Sequence, residues 1–175
     1  MTLPGMGERT ARIASAGKTF SLTGWKVGYL TATAELTVRI AKAHQFLTFT
    51  TAPNLQKAVA YGLAKENDFY DDLRASMQSK RDIFRDGLNR IGFTTAECDG
   101  TYFINADISS IGFDGTDEEF CRLITTDAGV AAVPFSAFYQ SAGARDNFAR
   151  FCFCKKTEVL EAAIEKLADF FKPAG

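Results

Sequence analysis

Hydrophobic residues along this chain recur in two rhythms, one near two residues and one near 3.6, so strand-like and helix-like segments take turns. Thr10 to Ser15 and Val27 to Thr31 read as short strands around a polar segment that carries glycines. Thr33 is a good N-cap, which predicts a helix from Ala34 to about Phe46. Thr50-Thr51-Ala52-Pro53 breaks the rhythm, and a second helix is predicted from about Asn54 to Ala64.

The longest helical pattern runs from about Phe69 to Ile91. Leu73, Met77, Phe84, Leu88 and Ile91 share one face, charges such as Asp72, Lys80 and Asp86 fall between them, and Gly92 supplies a stop. Phe93 to Cys98 and Thr101 to Asp107 read as two strands joined at Asp99-Gly100, a favoured hairpin turn. Thr116-Asp117-Glu118-Glu119 has the capping-box form and predicts a helix to about Asp127. Val130 to Val133 and Phe148 to Phe153 read as strands, and Thr157 as the cap of a last helix, Glu158 to Phe171, that buries Leu160, Ile164, Leu167 and Phe171. The fold class is therefore α/β. Residues 71–175 form an α+β unit, whereas residues 1–70 look like part of something larger, because two strands and two helices do not close a layer.

Composition narrows the options. A chain of 175 residues, 46% hydrophobic, can bury a sizeable core, roughly 70% of its unfolded surface. Twenty basic residues against 21 acidic ones leave a net charge of −1, which gives no reason to expect nucleic acid or an anionic membrane as a partner. No apolar run reaches the roughly 20 residues of a membrane span, and the start of the chain has no apolar core of a secretory signal. The four cysteines, Cys98, Cys121, Cys152 and Cys154, form no C-x-x-C pair, and the lone His44 cannot complete a zinc set with them. No metal site is expected. Buried thiols in a reducing cytoplasm are the expected state.

The chemistry concentrates in Ser15-Ala16-Gly17-Lys18-Thr19-Phe20-Ser21-Leu22-Thr23-Gly24-Trp25-Lys26. Two lysines eight residues apart lie among glycines and hydroxyls between two strands. A lysine partly buried at the end of a buried strand loses some basicity and becomes a candidate nucleophile. A second cation among hydroxyls suits a phosphate dianion. Read by spacing alone, the segment equally suits a glycine-rich turn with two surface lysines. Arg150, between aromatic neighbours on a predicted strand, suits either a cation–π or salt-bridge residue or a ligand clamp. His44 reads as a packing or surface residue, and Tyr102, Phe138 and Tyr139 read as core, although Tyr102 could face a substrate.

The lysine segment resembles the lysine motif of the fold-type-I pyridoxal-phosphate-dependent aminotransferases, in particular the branch that contains kynurenine, glutamine and methionine aminotransferases. The resemblance implies that Lys18 is the residue joined to C4′ of pyridoxal 5′-phosphate, and that Lys26 and Ser15 contact the cofactor phosphate. It continues downstream. Gln45 to Thr50, which includes Phe49, is similar to the loop that crosses a dimer interface in this branch and lines the partner's pocket. Gly100-Thr101-Tyr102-Phe103 is similar to a strand of the small domain, and Gly129 to Pro134, with Ser136 and Phe138, to the segment that leads to the substrate arginine. Ala149-Arg150-Phe151-Cys152-Phe153 is similar to the strand that carries that arginine, so Arg150 is expected to bind the substrate α-carboxylate.

The family places an Asp on the pyridine nitrogen, a stacking aromatic and a glycine-containing phosphate loop further upstream of the lysine than the 17 residues that precede Lys18 here. The expectation is thus a C-terminal half: the last part of the large, cofactor-binding domain over 1–70 and the small domain over 71–175. The implied function is transamination between an L-amino acid and a 2-oxo acid in a cytoplasmic homodimer, with this fragment inactive alone. Cysteine-S-conjugate β-lyase chemistry and a non-catalytic truncated module are the alternatives. Several segments, Phe151 to Lys155 among them, look similar to succinyldiaminopimelate aminotransferases.

Overall fold

The computed structural model describes residues 1–140 and 146–172. The chain divides into two compact units, Met1–Asn67 and Asp68–Gly175.

In the first unit β1 (Arg12–Ser15) and β2 (Gly28–Thr31) form a two-stranded antiparallel ribbon, with Arg12 opposite Thr31 and Ser15 opposite Gly28. One helical turn, α1 (Ala16–Thr19), follows β1 directly. Two helices complete the unit, α2 (Ala34–Leu47) and α3 (Pro53–Leu63). Thr33 caps α2 through its hydroxyl, which accepts the Leu36 N–H at 3.3 Å, and Pro53 sits in the first turn of α3, where its missing N–H costs nothing. The core is small: Ala16, Val27 and Val59 are buried, with Phe20, Leu22 and Leu55 packed against them. No residue of α2 is buried. At its end Phe46 and Leu47, and just beyond it Phe49, are 87%, 84% and 75% exposed, an apolar group left to solvent.

The second unit opens with α4 (Asn67–Ile91), which Gly92 ends at φ 116°, a backbone angle that favours glycine. Strands β3 (Thr94–Thr95), β4 (Phe103–Asp107), β5 (Val133–Pro134) and β6 (Phe148–Cys152) make one antiparallel sheet in the order β3-β4-β6-β5. Helices α5 (Asp117–Leu123) and α6 (Thr157–Phe170) complete it. Successive strand residues point to opposite faces. Ile104 and Ala106 of β4 and Ala149 and Phe151 of β6 are buried in one core with Phe84 and Leu88 of α4, Phe120 of α5 and Leu160 and Leu167 of α6. Each such Leu, Ile or Phe contributes about 1.5–3 kcal/mol. Edge-to-face contacts of Phe93 with Phe120, Phe151 and Phe171 tie the chain after α4 into this core. Gly87 lets α4 approach α6, since a Cβ there would stand 2.4 Å from the Ile164 Cδ1.

Four expectations change. The tight hairpin at Asp99-Gly100 is a wide loop between β3 and β4, whose left-handed residue is Thr101 at φ 68°. Arg81 of α4 reaches into that loop and donates from Nη1 to the Cys98 carbonyl at 2.8 Å, a tertiary contact that overrides the local turn preference. The helix from Asp117 widens after Leu123 into a π-type turn, Ile124–Ala128, and Gly129 closes it at φ 67°. Val130 therefore belongs to the helix end, its N–H bonded to the Ile124 carbonyl, and β5 holds only Val133 and Pro134. Thr157 is the first residue of α6 rather than its cap, because Lys156 is the last extended residue before the helix.

Candidate active site

The lysine segment is a compact knot at the end of the β1–β2 ribbon. The Ala16 N–H donates to the Val27 carbonyl at 3.0 Å, which continues the ribbon past Ser15 and Gly28. Ser15 then caps α1, its Oγ accepting the Gly17 N–H at 3.1 Å. The Thr23 hydroxyl donates to the Gly17 carbonyl at 3.2 Å and closes the loop on itself. Gly17 is required by space: a Cβ would lie 3.1 Å from the Thr23 Cα and 3.3 Å from the Ser15 Oγ. Below the knot, the Phe20 ring rests on Gly62 of α3, where a Cβ would meet it at 3.0 Å. Lys18 stands in the last turn of α1 and Lys26 just after the 3-10 turn Thr23–Trp25, in a left-handed conformation at φ 55°. Such a conformation costs a non-glycine residue of the order of 1 kcal/mol or more and clusters at functional sites.

The lysine expected to be partly buried is exposed. Lys18, Lys26 and Ser15 are all exposed, and β1, in a ribbon of only two strands, has no buried residue. Lys18 also sits on a helical turn rather than in an open loop.

The second cluster lies on the sheet of the other unit. Arg150 occupies β6, opposite Asn105 on β4 and Val133 on β5, so these side chains share the face away from the core. Its guanidinium lies close to two rings, with Cζ 3.2 Å from the Phe103 centroid and 4.3 Å from that of Phe138. Both stacks are favourable cation–π contacts. The Arg150 Nε and the Asn105 Oδ1 are buried with no hydrogen-bond partner among the described residues. Phe138 and Tyr139, expected in the core, are 58% and 53% exposed. Phe138 stands at the clamp because it ends the 3-10 turn Phe135–Phe138, which follows edge strand β5.

One residue of this site escaped the sequence. Asp117, visible there only as part of a capping box, is fully buried. Its Oδ2 accepts the Ser136 N–H at 2.7 Å and its Oδ1 the Ser136 hydroxyl at 2.8 Å, so it fixes the turn that carries Phe138. The capping box itself forms: Glu119 accepts from the Thr116 N–H at 2.9 Å and from its hydroxyl at 3.0 Å, and these bonds hold the Glu119 carboxyl below its ordinary range. Behind it, burial pushes the Cys121 thiol up to about 12, with the Asp117 charge adding to the shift.

Two clusters thus stand on the chain: a lysine turn ringed by hydroxyls, and an aromatic-flanked arginine with a buried donor to spare. The model of the family "Aminotransferase class I and II" matches residues 5–167. The chain belongs to the class I and II aminotransferases. It is 39% identical over 172 residues to the probable N-succinyldiaminopimelate aminotransferase DapC of Mycobacterium tuberculosis, a match over 94% of this chain and 43% of that protein. It is 40% identical over 164 residues to the methionine aminotransferase of Escherichia coli, over 94% of this chain and 42% of that one. The solved structure of N-succinyldiaminopimelate aminotransferase from Mycobacterium tuberculosis superposes with a TM-score of 0.88 at 39% identity, covering 96% of this chain and 44% of its own. The chain therefore spans less than half the length of these relatives.

The remaining residues of this aminotransferase chain fall as follows. Phe49 is exposed at φ 66°, in the loop between α2 and α3. His44 is a surface residue of α2. Tyr102 is half-buried beside Phe103, their rings edge to face. Of the thiols expected to be buried, only Cys121 is; Cys98 and Cys152 are half-buried and Cys154 is exposed, because Cys152 and Cys154 share the outer face of the β6 segment, with Phe153 between them in the core. No cluster of metal-ligating side chains exists among the described residues, and no described helix is long and apolar enough to cross a membrane.

Proposed function

We propose that this chain is the catalytic-lysine and carboxylate-binding half of a pyridoxal-phosphate-dependent aminotransferase that exchanges an amino group between an L-amino acid and a 2-oxo acid. The observation that carries the reading is the closed lysine turn. Gly17, packed against Thr23, holds Ser15, Lys18 and Lys26 together on one short loop.

The donors fit the cofactor. The Ser15 Oγ spends a lone pair on the Gly17 N–H, so its own proton remains for an anion. Lys26 adds a positive charge suited to a phosphate dianion. Lys18 supplies a primary amine for an aldehyde. Pyridoxal 5′-phosphate, when bound, supplies the electron sink that lets the Cα proton of an amino acid leave. Lys18 Nζ would take that proton from Cα as general base and carry it to C4′ as general acid. Arg150 holds the α-carboxylate with its planar fork, and the Phe103 and Phe138 rings close beside the guanidinium restrict its motion. The printed names of the relatives favour transamination over β-lyase chemistry, and N-succinyldiaminopimelate and methionine are the first amino donors to test.

Residues 1–70 belong, in this reading, to the cofactor-binding domain and residues 71–175 to the small domain. The exposed group Phe46, Leu47 and Phe49 and the uncovered helix α2 support a homodimer in which Phe49 lines the partner's substrate pocket. The reading carries with it a cytoplasmic location, where a thiol as exposed as Cys154 stays reduced. Because the chain spans 43% of the DapC relative, residues 1–175 alone are expected to turn over little or no substrate.

The test is borohydride reduction of a cofactor-loaded protein of family length that carries this chain, followed by peptide mapping. The pyridoxyl group is expected on Lys18 alone. Label on another lysine, or none, refutes the assignment.

A further inference from the structure

Resting on the reading of Arg150 as the carboxylate site, we propose that Asn105 is its positioning residue: the Asn105 Oδ1 accepts the Arg150 Nε–H and thereby aims the guanidinium fork at the ligand. Asn105 and Arg150 are direct partners in the β4–β6 ladder. Directly opposed side chains on antiparallel strands stand about 5 Å apart at Cβ and lie on the same face. Each carries one buried polar atom without a partner among the described residues, and the two are complementary, a donor on Arg150 and an acceptor on Asn105. Buried polar groups in native proteins are almost always satisfied, so a complementary pair in register calls for an explanation.

A bound carboxylate satisfies only half of it. Carboxylate oxygens accept and do not donate, so they cannot partner the Asn105 Oδ1. A ligand ammonium could donate to that oxygen, but it would then stand against the Arg150 charge. The Nε–H of Arg150 is the donor that the strand register itself supplies. Phe103 and Phe138, with ring centroids 3.2 and 4.3 Å from the Arg150 Cζ, crowd the guanidinium and limit how it can turn. Under that restriction one in-plane hydrogen bond at Nε decides the orientation. With Nε–H on Asn105, the edge formed by Nη1 and Nη2 faces away from β4 and meets a carboxylate with two parallel donors. Asn105 then acts through Arg150, without touching the substrate.

The experiment uses the 175-residue chain, labelled with ¹⁵N-arginine and titrated with sodium propionate as the probe, with propionamide as the neutral control. In the native chain, propionate is expected to slow exchange of the Arg150 Nε–H with water and move its resonance, while propionamide does neither. Asn105→Leu keeps the side chain's size and removes the acceptor. It should leave the Nε–H in fast exchange and weaken propionate binding about tenfold, the equivalent of one ordinary hydrogen bond. Asn105→Asp keeps an acceptor and adds a charge. It should protect the Nε–H more than the native residue does, even without propionate, yet bind propionate less well because the fork is partly neutralised. That opposite movement of two readouts is not expected of a residue that only fills space. Native exchange and native propionate affinity in Asn105→Leu, or an unprotected Nε–H in Asn105→Asp, overturns the proposal, and the Asp variant decides the matter if the Leu variant does not fold. Arg150→Leu separates the two levels. If it binds propionate as the native chain does, the reading of Arg150 fails; if it abolishes binding while Asn105→Leu behaves as native, only the role of Asn105 fails.

Discussion

Asp117 and Ser136 are joined by two hydrogen bonds of 2.7 and 2.8 Å, one to the Ser136 backbone and one to its hydroxyl, with the carboxylate fully buried. Asp117 is also the first residue of α5, where the unpaired N–H groups of the helix start favour a negative charge. One side chain thus caps a helix end electrostatically and fixes the turn that brings Phe138 over Arg150.

Replacing Asp117 with Ala removes both acceptors and leaves the buried Ser136 N–H and hydroxyl without their partner. The expected loss of stability is about 2–3 kcal/mol, the usual cost of breaking charged hydrogen bonds in a buried site. Urea unfolding of the variant measures it. A change below about 0.5 kcal/mol, the range of ordinary surface substitutions, would show that the carboxylate contributes nothing.

Gly87→Ala puts a methyl into space that Ile164 already fills, 2.4 Å from its Cδ1. Overpacking of this kind typically costs about 1–3 kcal/mol. The double variant Gly87→Ala with Ile164→Val should recover part of that loss, because the two sites share one volume. Additive losses in thermal unfolding would argue against direct contact between α4 and α6 at this point.

Cys121, held up to about 12 by burial and the nearby Asp117 charge, should remain a thiol at neutral pH and resist iodoacetamide, whereas the exposed Cys154 is alkylated. The sign for stability follows from a raised folded value: the contribution is complete below the ordinary thiol value of 9.0 and is lost as pH rises towards 12. Stability of the native chain should therefore fall more steeply over that window than stability of Cys121→Ala. Parallel pH profiles, or prompt alkylation of Cys121 in the folded protein at pH 7, would contradict the burial of this thiol.

Most elements were legible because their signals are local. Thr33 and Thr116 cap where hydroxyl and spacing say they should, and the apolar face of α4 announces Phe84 and Leu88 in the core. The errors arose where a distant residue decides. Asp99-Gly100 has the chemistry of a tight turn, but the Arg81 contact from α4 holds the loop open. The helix end at Gly129 takes Val130 because a π-type turn adds length that no periodicity announces. In the candidate site, Lys18, Lys26, Ser15 and Arg150 stand out by motif, whereas Asn105 does not, Asp117 shows only as part of a capping box, and Phe138 reads as core. Their roles depend on which strand lies opposite and which turn folds back, and neither is written in their own neighbourhoods. The exposure of Lys18 has a similar cause, since the strands that would cover a lysine must come from outside the two-stranded ribbon.

Strand β6 presents Arg150 on one side and Ala149 and Phe151 on the other. Its two faces are rigidly geared, since a strand cannot move one row of side chains without moving the next. Substitutions on the core side, at Phe84 or Phe93 where they meet the Phe151 ring, would tilt the arginine by fractions of an ångström without touching any ligand. Under the role proposed for Arg150, affinity for a carboxylate would therefore drift through mutations in the oily interior, far from any ligand.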